Sequence, residues 1–167
     1  GTRNPDMTEA SAAEKLKATF GADQVIWLDA VLGGDAIFHR LDGAVRFVKS
    51  NHVLLMKAQS PQDPNFELFK ALEEHFEKAC FDISYLPSPG RVEDADGDVM
   101  AASFLHFIQC ENRVIMPVYG TAYDDQALNA MKDIFPEREV IGLRSDHLLS
   151  GGGSFHHICL KQPKWPF

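Results

Sequence analysis

The side chains that could do chemistry in this sequence are its seven histidines, its three cysteines and a run of carboxylates. A thiolate is the strongest side-chain nucleophile near neutral pH, while an imidazole moves protons or ligates a metal there. Cys80, Cys110 and Cys159 are odd in number, widely spaced and without a C-x-x-C pair. That pattern argues against a disulfide framework and a cysteine zinc site, and for a reducing compartment. His156 and His157 follow Gly151-Gly152-Gly153-Ser154-Phe155, in a stretch read as a strand. Neighbours on a strand face opposite ways, so the two are expected not to reach one metal ion. The loop Glu93-Asp94-Ala95-Asp96-Gly97-Asp98 looks calcium-like but lacks the twelfth-position Glu of a helix–loop–helix site, which makes it a solvated turn.

Three helices and eight short strands are expected to position these groups. Ser11-Ala12-Ala13-Glu14 has capping-box spacing, and Ala13, Leu16 and Phe20 share a face before Gly21. Asp63-Pro64 opens a second helix that carries Phe66, Phe69, Leu72, Phe76 and Ala79. A third follows Asp124-Asp125, with Ala127, Leu128, Met131, Ile134 and Phe135 as its stripe and Pro136 as its stop. Short apolar runs at 25–28, 45–48, 53–56, 81–86, 103–108, 114–118, 140–143 and 155–160 read as strands. Their order repeats: strand, tight polar turn, strand, helix, strand occurs from Arg46 and again from His106. Repeated supersecondary units bury their apolar faces partly against one another. The tail of an earlier unit stands in front, which makes about two and a half units.

Composition bounds the class. The chain has 167 residues, 45% hydrophobic and 24% charged, with no apolar run near the roughly 18 residues a membrane span needs. A net charge of −8 disfavours a nucleic-acid backbone or an anionic membrane as partner. Gly1 to Asp6 precede Met7 without the layout of a signal peptide, and read as a cloning remnant or the start of a processed chain.

Several separated stretches carry a family resemblance. They are Gln24-Val25-Ile26-Trp27-Leu28 with Gly34-Asp35 and Arg46-Phe47-Val48; Leu86-Pro87-Ser88-Pro89 leading to Ala102-Ser103-Phe104-Leu105-His106-Phe107; Val114-Ile115-Met116-Pro117-Val118-Tyr119-Gly120 with Asp124-Asp125-Gln126-Ala127; Ile134-Phe135-Pro136-Glu137-Arg138-Glu139-Val140-Ile141-Gly142; and Gly151-Gly152-Gly153-Ser154-Phe155-His156-His157-Ile158. In this order they resemble the C-terminal half of the agmatine deiminase and bacterial peptidyl-arginine deiminase family, within the pentein superfamily. The resemblance runs from about Gly21 to Pro163. It implies an α/β fold of ββαβ units around a pseudo-fivefold axis, of which this chain would hold a partial propeller. It also implies hydrolysis of a guanidinium to a urea with loss of ammonia. There a Cys thiolate attacks the guanidinium carbon, a His moves protons and carboxylates grip the planar cation.

This sequence departs from that pattern at the reactive positions. The family's nucleophile follows the His of Gly-Gly-Gly-x-x-His-Cys, and here His157 stands there. Cys159, two residues on, would lie roughly 6.5 Å further along a strand, out of register and more simply a small buried residue. The family's Asp-Gly-His-hydrophobic-Asp ahead of Arg-Phe, counted back without gaps from Arg46-Phe47, puts Phe38 at the Asp, His39 at the Gly and Arg40 at the His. With one inserted residue, His39 takes the catalytic His position and Ile37 the Asp. Either way the cation-binding carboxylate is replaced by an apolar residue, and Arg40 would repel a guanidinium. His106 replaces the family's Asn before Phe.

The expectation is therefore a half-pentein over residues 21–167, preceded by a segment at 1–20 that holds the helix of an earlier unit. It is a catalytically degenerate deiminase-like scaffold with a vestigial pocket of Phe38, His39, Arg40, His106, Gly152 and His157. No catalytic residue, cofactor or metal is expected. A metal site from His39, His106 and His157 is conceivable, since the pentein map brings those segments together, but no carboxylate or thiolate clearly completes it. Gly151–Gly153 reads as a turn, and Trp27 and Trp165 as core and tail anchors. A protein partner or self-association is expected in a reducing intracellular compartment, with any small-molecule ligand left open. The alternative is a deiminase whose site another chain completes.

Overall fold

The computed structural model describes residues 4–28, 31–35, 40–160 and 162. Phe38, His39, Ile37 and Trp165 from the sequence reading lie outside them. Two copies of one unit form the body. In the first, β1 (Val45–Lys49) pairs antiparallel with β2 (His52–Lys57), α2 (Phe66–Lys78) crosses over, and β3 (Asp82–Pro87) returns parallel to β2; α1 (Glu9–Phe20) stands ahead of it. In the second, β4 (Ile108–Gln109) pairs antiparallel with β5 (Arg113–Val118), α3 (Asp124–Ile134) crosses over, and β6 (Glu139–Arg144) lies parallel to β5. Each unit is thus a three-stranded sheet with its middle strand second in sequence. Two one-turn helices follow, α4 (Asp146–Leu149) and α5 (Phe155–Ile158).

The core is built from the expected stripes. Phe69, Leu72 and Phe76 of α2 and Ala127 and Met131 of α3 are buried, against Val53 to Met56 of β2 and Val114 and Met116 of β5. Each large side chain so placed contributes roughly 1.5–3 kcal/mol. Helix α3 packs on β3 of the preceding unit as well as on its own β6, so the repeats share one core.

Five expectations are corrected. Residues 25–28 form no strand; Ile26 and Leu28 touch the core while Trp27 is 45% exposed, a surface residue and not a core one. The 103–108 run is buried but is a turn, with strand only at Ile108–Gln109. Its backbone is held by other partners: the Ser103 N–H donates to the Tyr119 hydroxyl (3.1 Å), the Leu105 N–H to Ser103 Oγ (3.0 Å) and the His106 N–H to the Ser103 carbonyl (3.2 Å). Residues 155–158 are helical and not a strand, because the Ser154 N–H donates to His157 Nδ1 (3.0 Å), closing a capping turn. Helix α1 starts two residues earlier than expected, with Thr8 and Ser11 capping each other, and none of its residues is buried.

Candidate functional site

Three loops meet where the two units and the C-terminal turn come together. The first contains Asp35, Arg40 and Asp42, in the approach to β1. Here Gly34, at φ +87°, lets the backbone pass so close to 99–101 that a Cβ would lie 2.5 Å from the Val99 carbonyl. Asp35 is buried and pairs with Arg40 through the Arg40 N–H (2.8 Å) and the guanidinium (3.4 Å). The same guanidinium donates to the Gly152 carbonyl. Arg40 therefore ties the first loop to the glycine turn, and that turn is closed by Gly152 donating to the Leu149 carbonyl at 2.7 Å.

The second loop carries His106 and the third His157, on α5. Asp42 stands between them, in a turn closed by the Ala44 N–H on the Leu41 carbonyl (2.8 Å). Its Oδ2 lies 3.0 Å from His157 Nε2, 3.8 Å from His106 Nε2 and 3.8 Å from His156 Nε2. The His106 and His157 rings meet edge to face at 4.7 Å. Burial pushes His106 down to about 3, with Asp42 opposing and His157 and Arg40 adding to the fall. His157 is lowered by burial first, again against Asp42, which favours the charged form. Both shifts favour the uncharged ring.

A cavity of about 380 Å³ opens beside this cluster, lined by Asp35, Arg40, Asp94, Asp98, His106 and Gly152 among others. None of the three cysteines lines it, and all three are exposed. Cys159 is thus neither a core residue nor part of the cluster; it caps the far end of α5. The acidic loop is a turn as expected, with Asp94 accepting from the Asp96 and Asp98 N–H groups (both 3.0 Å), and two of its residues, Asp94 and Asp98, also line the cavity.

Of the vestigial pocket expected from sequence, Arg40, His106, Gly152 and His157 are gathered at one place. The expectation that His156 and His157 cannot share a target is overturned. On one helical turn both imidazoles come within 3.8 Å of Asp42 Oδ2. Sequence reasoning missed Asp42, although the ungapped count that puts Phe38 at the first Asp of the family pattern puts Asp42 at its last. It also passed over Asp35 as a site residue.

The arrangement can hold a proton between Asp42 and His157 and can grip a cation, but it offers no thiolate to a substrate. A profile of the Porphyromonas-type peptidyl-arginine deiminase family matches residues 1–163. A putative agmatine deiminase of Selenomonas ruminantium is 33% identical over 96% of this chain and 49% of its own length. The agmatine deiminase of Pseudomonas fluorescens is 28% identical over 96% of this chain and 50% of its own. Among solved structures, a substrate-bound agmatine deiminase from C. jejuni superposes with a TM-score of 0.88 at 26% identity, covering 95% of this chain and 47% of that one. The chain spans about half the length of the curated relatives it matches. With ββαβ units in the body and this match over most of its length, the chain has the pentein fold of these deiminases and belongs to the Porphyromonas-type peptidyl-arginine deiminase family.

Proposed function

We propose that this chain is a catalytically degenerate member of its family, retained as a binding or assembly scaffold. The observation that carries the reading is His157, which stands where the family motif has its thiol and is engaged by Asp42 at 3.0 Å. An imidazole does not replace a thiolate in attack on a guanidinium carbon. Arg40 adds a second obstacle, since it sets a fixed guanidinium against Asp35 in the lining of the cavity. The scaffold reading is further supported by exposed apolar side chains, notably Phe20, Phe47 and Ile158.

Incubation with agmatine and with arginine peptides, reading ammonia release, tests this directly. No release above buffer is expected, and no covalent adduct with a haloamidine probe. Turnover abolished by Cys159→Ser would overturn the proposal. One observation favours a second reading, a deiminase site completed by another chain: Asp35, Asp94 and Asp98 leave the cavity acidic and suited to a cation. The same assay on the complex isolated with its natural partners separates the two.

A further inference from the structure

We propose that a cleft between the two units, at the end of the sheets away from Asp42, binds a small monocarboxylic acid with an apolar body. The Asp42 cluster precedes Val45 and follows Arg144, whereas Lys49 and His52 sit at the β1–β2 turn and Arg138 leads into the start of β6. One wall of the cleft is a face of the first sheet, with Val48, Lys49, His52 and Ser84. The other is the end of α3 and the turn after it, from Asp133 to Arg138. Between them lies a volume of about 620 Å³, the size of an ordinary small-ligand site.

Arg138 is the reason for an anion. It is half-buried, and its guanidinium lies over the Phe135 ring at 5.4 Å. Nη1 is buried and meets no acceptor, and among the described residues no carboxylate pairs with this guanidinium; the adjacent Glu139 is held by Arg113 instead, at 2.7 Å. A charge drawn partly out of water without a counter-ion is costly, and a carboxylate entering the cleft offsets that cost. The facing wall adds the positive charge of Lys49 and the hydrogen-bonding pair of His52 Nε2 and Ser84 Oγ, 2.8 Å apart. Val48, Ile134 and Phe135, half-buried and packed against the core, offer a surface to the apolar body. Asp133 and Glu137 also line the cleft, so the charges of its Lys, Arg and carboxylates balance, two of each sign. That balance admits a single negative charge at Arg138 and disfavours the doubly charged group of a phosphomonoester. The cleft shares no residue with the cavity beside Asp42, and its binding does not depend on whether guanidine chemistry survives.

Calorimetric titration with 3-phenylpropionate, alongside 3-phenylpropionamide and phenyl phosphate, tests the assignment. Saturable one-to-one binding of the acid is expected, about tenfold or more tighter than that of the amide, which keeps the body and lacks the charge. Phenyl phosphate should bind more weakly than the acid. Arg138→Gln should weaken binding of the acid by about tenfold or more, and Arg138→Lys several-fold, because lysine keeps the charge and loses the planar fork. Arg91→Gln, which removes the same charge from an exposed arginine outside the cleft, should leave it unchanged. Circular dichroism of each variant establishes that it is folded, and Arg138→Lys carries the test if the glutamine variant is not. No saturable binding of the acid, an amide that binds as well, tighter binding of phenyl phosphate, binding that survives both changes at Arg138, or binding lost in Arg91→Gln would each overturn the proposal.

Discussion

Asp42 Oδ2 is the atom around which the reactive part of the molecule is arranged, with three imidazole nitrogens within 3.8 Å. Its position depends on the next residue. A Cβ on Gly43 would lie 2.6 Å from Leu32 Cδ1 and 2.7 Å from His106 Nε2, both buried neighbours that cannot retreat. Gly43→Ala is therefore expected to cost about 1–3 kcal/mol in chemical denaturation, through overpacking. It should also displace the His106 ring, visible as a shift of its imidazole resonances. Gly97, exposed and with open space around its Cβ position, is the wrong control because its φ is +85°. Gly33 is a better one, since its φ is not positive and a Cβ there meets Asn65 Oδ1 at 3.4 Å and Pro64 Cβ at 3.7 Å, ordinary contacts. At this scale the sequence was informative about types and silent about aim. It marked Arg40, His106, Gly152 and His157, and it missed Asp42 because one carboxylate among many is picked out only by what surrounds it.

At the scale of elements, side-chain bridges tie α2 to its sheet. Glu73 on α2 accepts from Lys57 Nζ of β2 (2.9 Å) and from the Tyr85 hydroxyl of β3 (2.8 Å). The Lys57 and Tyr85 hydrogen bonds hold the Glu73 carboxyl below its usual range, while burial and Glu73 itself push Tyr85 up to about 12. The Glu73 contribution is present above the unfolded carboxylate value of about 4.3 and lost as pH falls through the lowered folded value. The Tyr85 contribution is present below about 10 and lost as pH rises from there toward the folded value. Denaturation across pH should show both shoulders, the acid one reduced by Glu73→Gln and the alkaline one by Tyr85→Phe. In the second unit, Tyr119 joins the buried 103–107 turn to β5. Its hydroxyl accepts from the Ser103 N–H and donates to the Ser103 carbonyl (2.9 Å). Tyr119→Phe leaves the buried Ser103 N–H without a partner, at a cost of about 1–3 kcal/mol in a urea titration, while the Ser103 carbonyl keeps the His106 N–H. This turn also explains a misreading: a continuous buried apolar run has the same periodicity whether extended or turned, and Ser103 decides the matter through bonds to distant residues.

The molecule as a whole is two ββαβ units sharing a core, with apolar side chains left at its surface. Phe20 is 76% exposed, Ile158 65% and Phe47 57%. The scaffold reading predicts that this chain self-associates or takes up a partner. Size-exclusion chromatography with light scattering should report a species larger than 18.6 kDa, and a monodisperse monomer with low binding of hydrophobic dyes would count against it. Helix α1, with no buried residue, should exchange its amide protons near the rate of an isolated helix, while β2 and β5 exchange only on global unfolding. Chain order, helix stripes and the doubled strand-strand-helix-strand pattern were legible without coordinates, because local periodicity and turn chemistry act over a few residues. The same local information had 155–160 extended and its two histidines facing apart. Only the folded chain decided that Ser154 caps a helical turn there, and that Asp42, His106 and His157 meet, since those contacts span up to 115 positions of sequence and depend on how whole units pack.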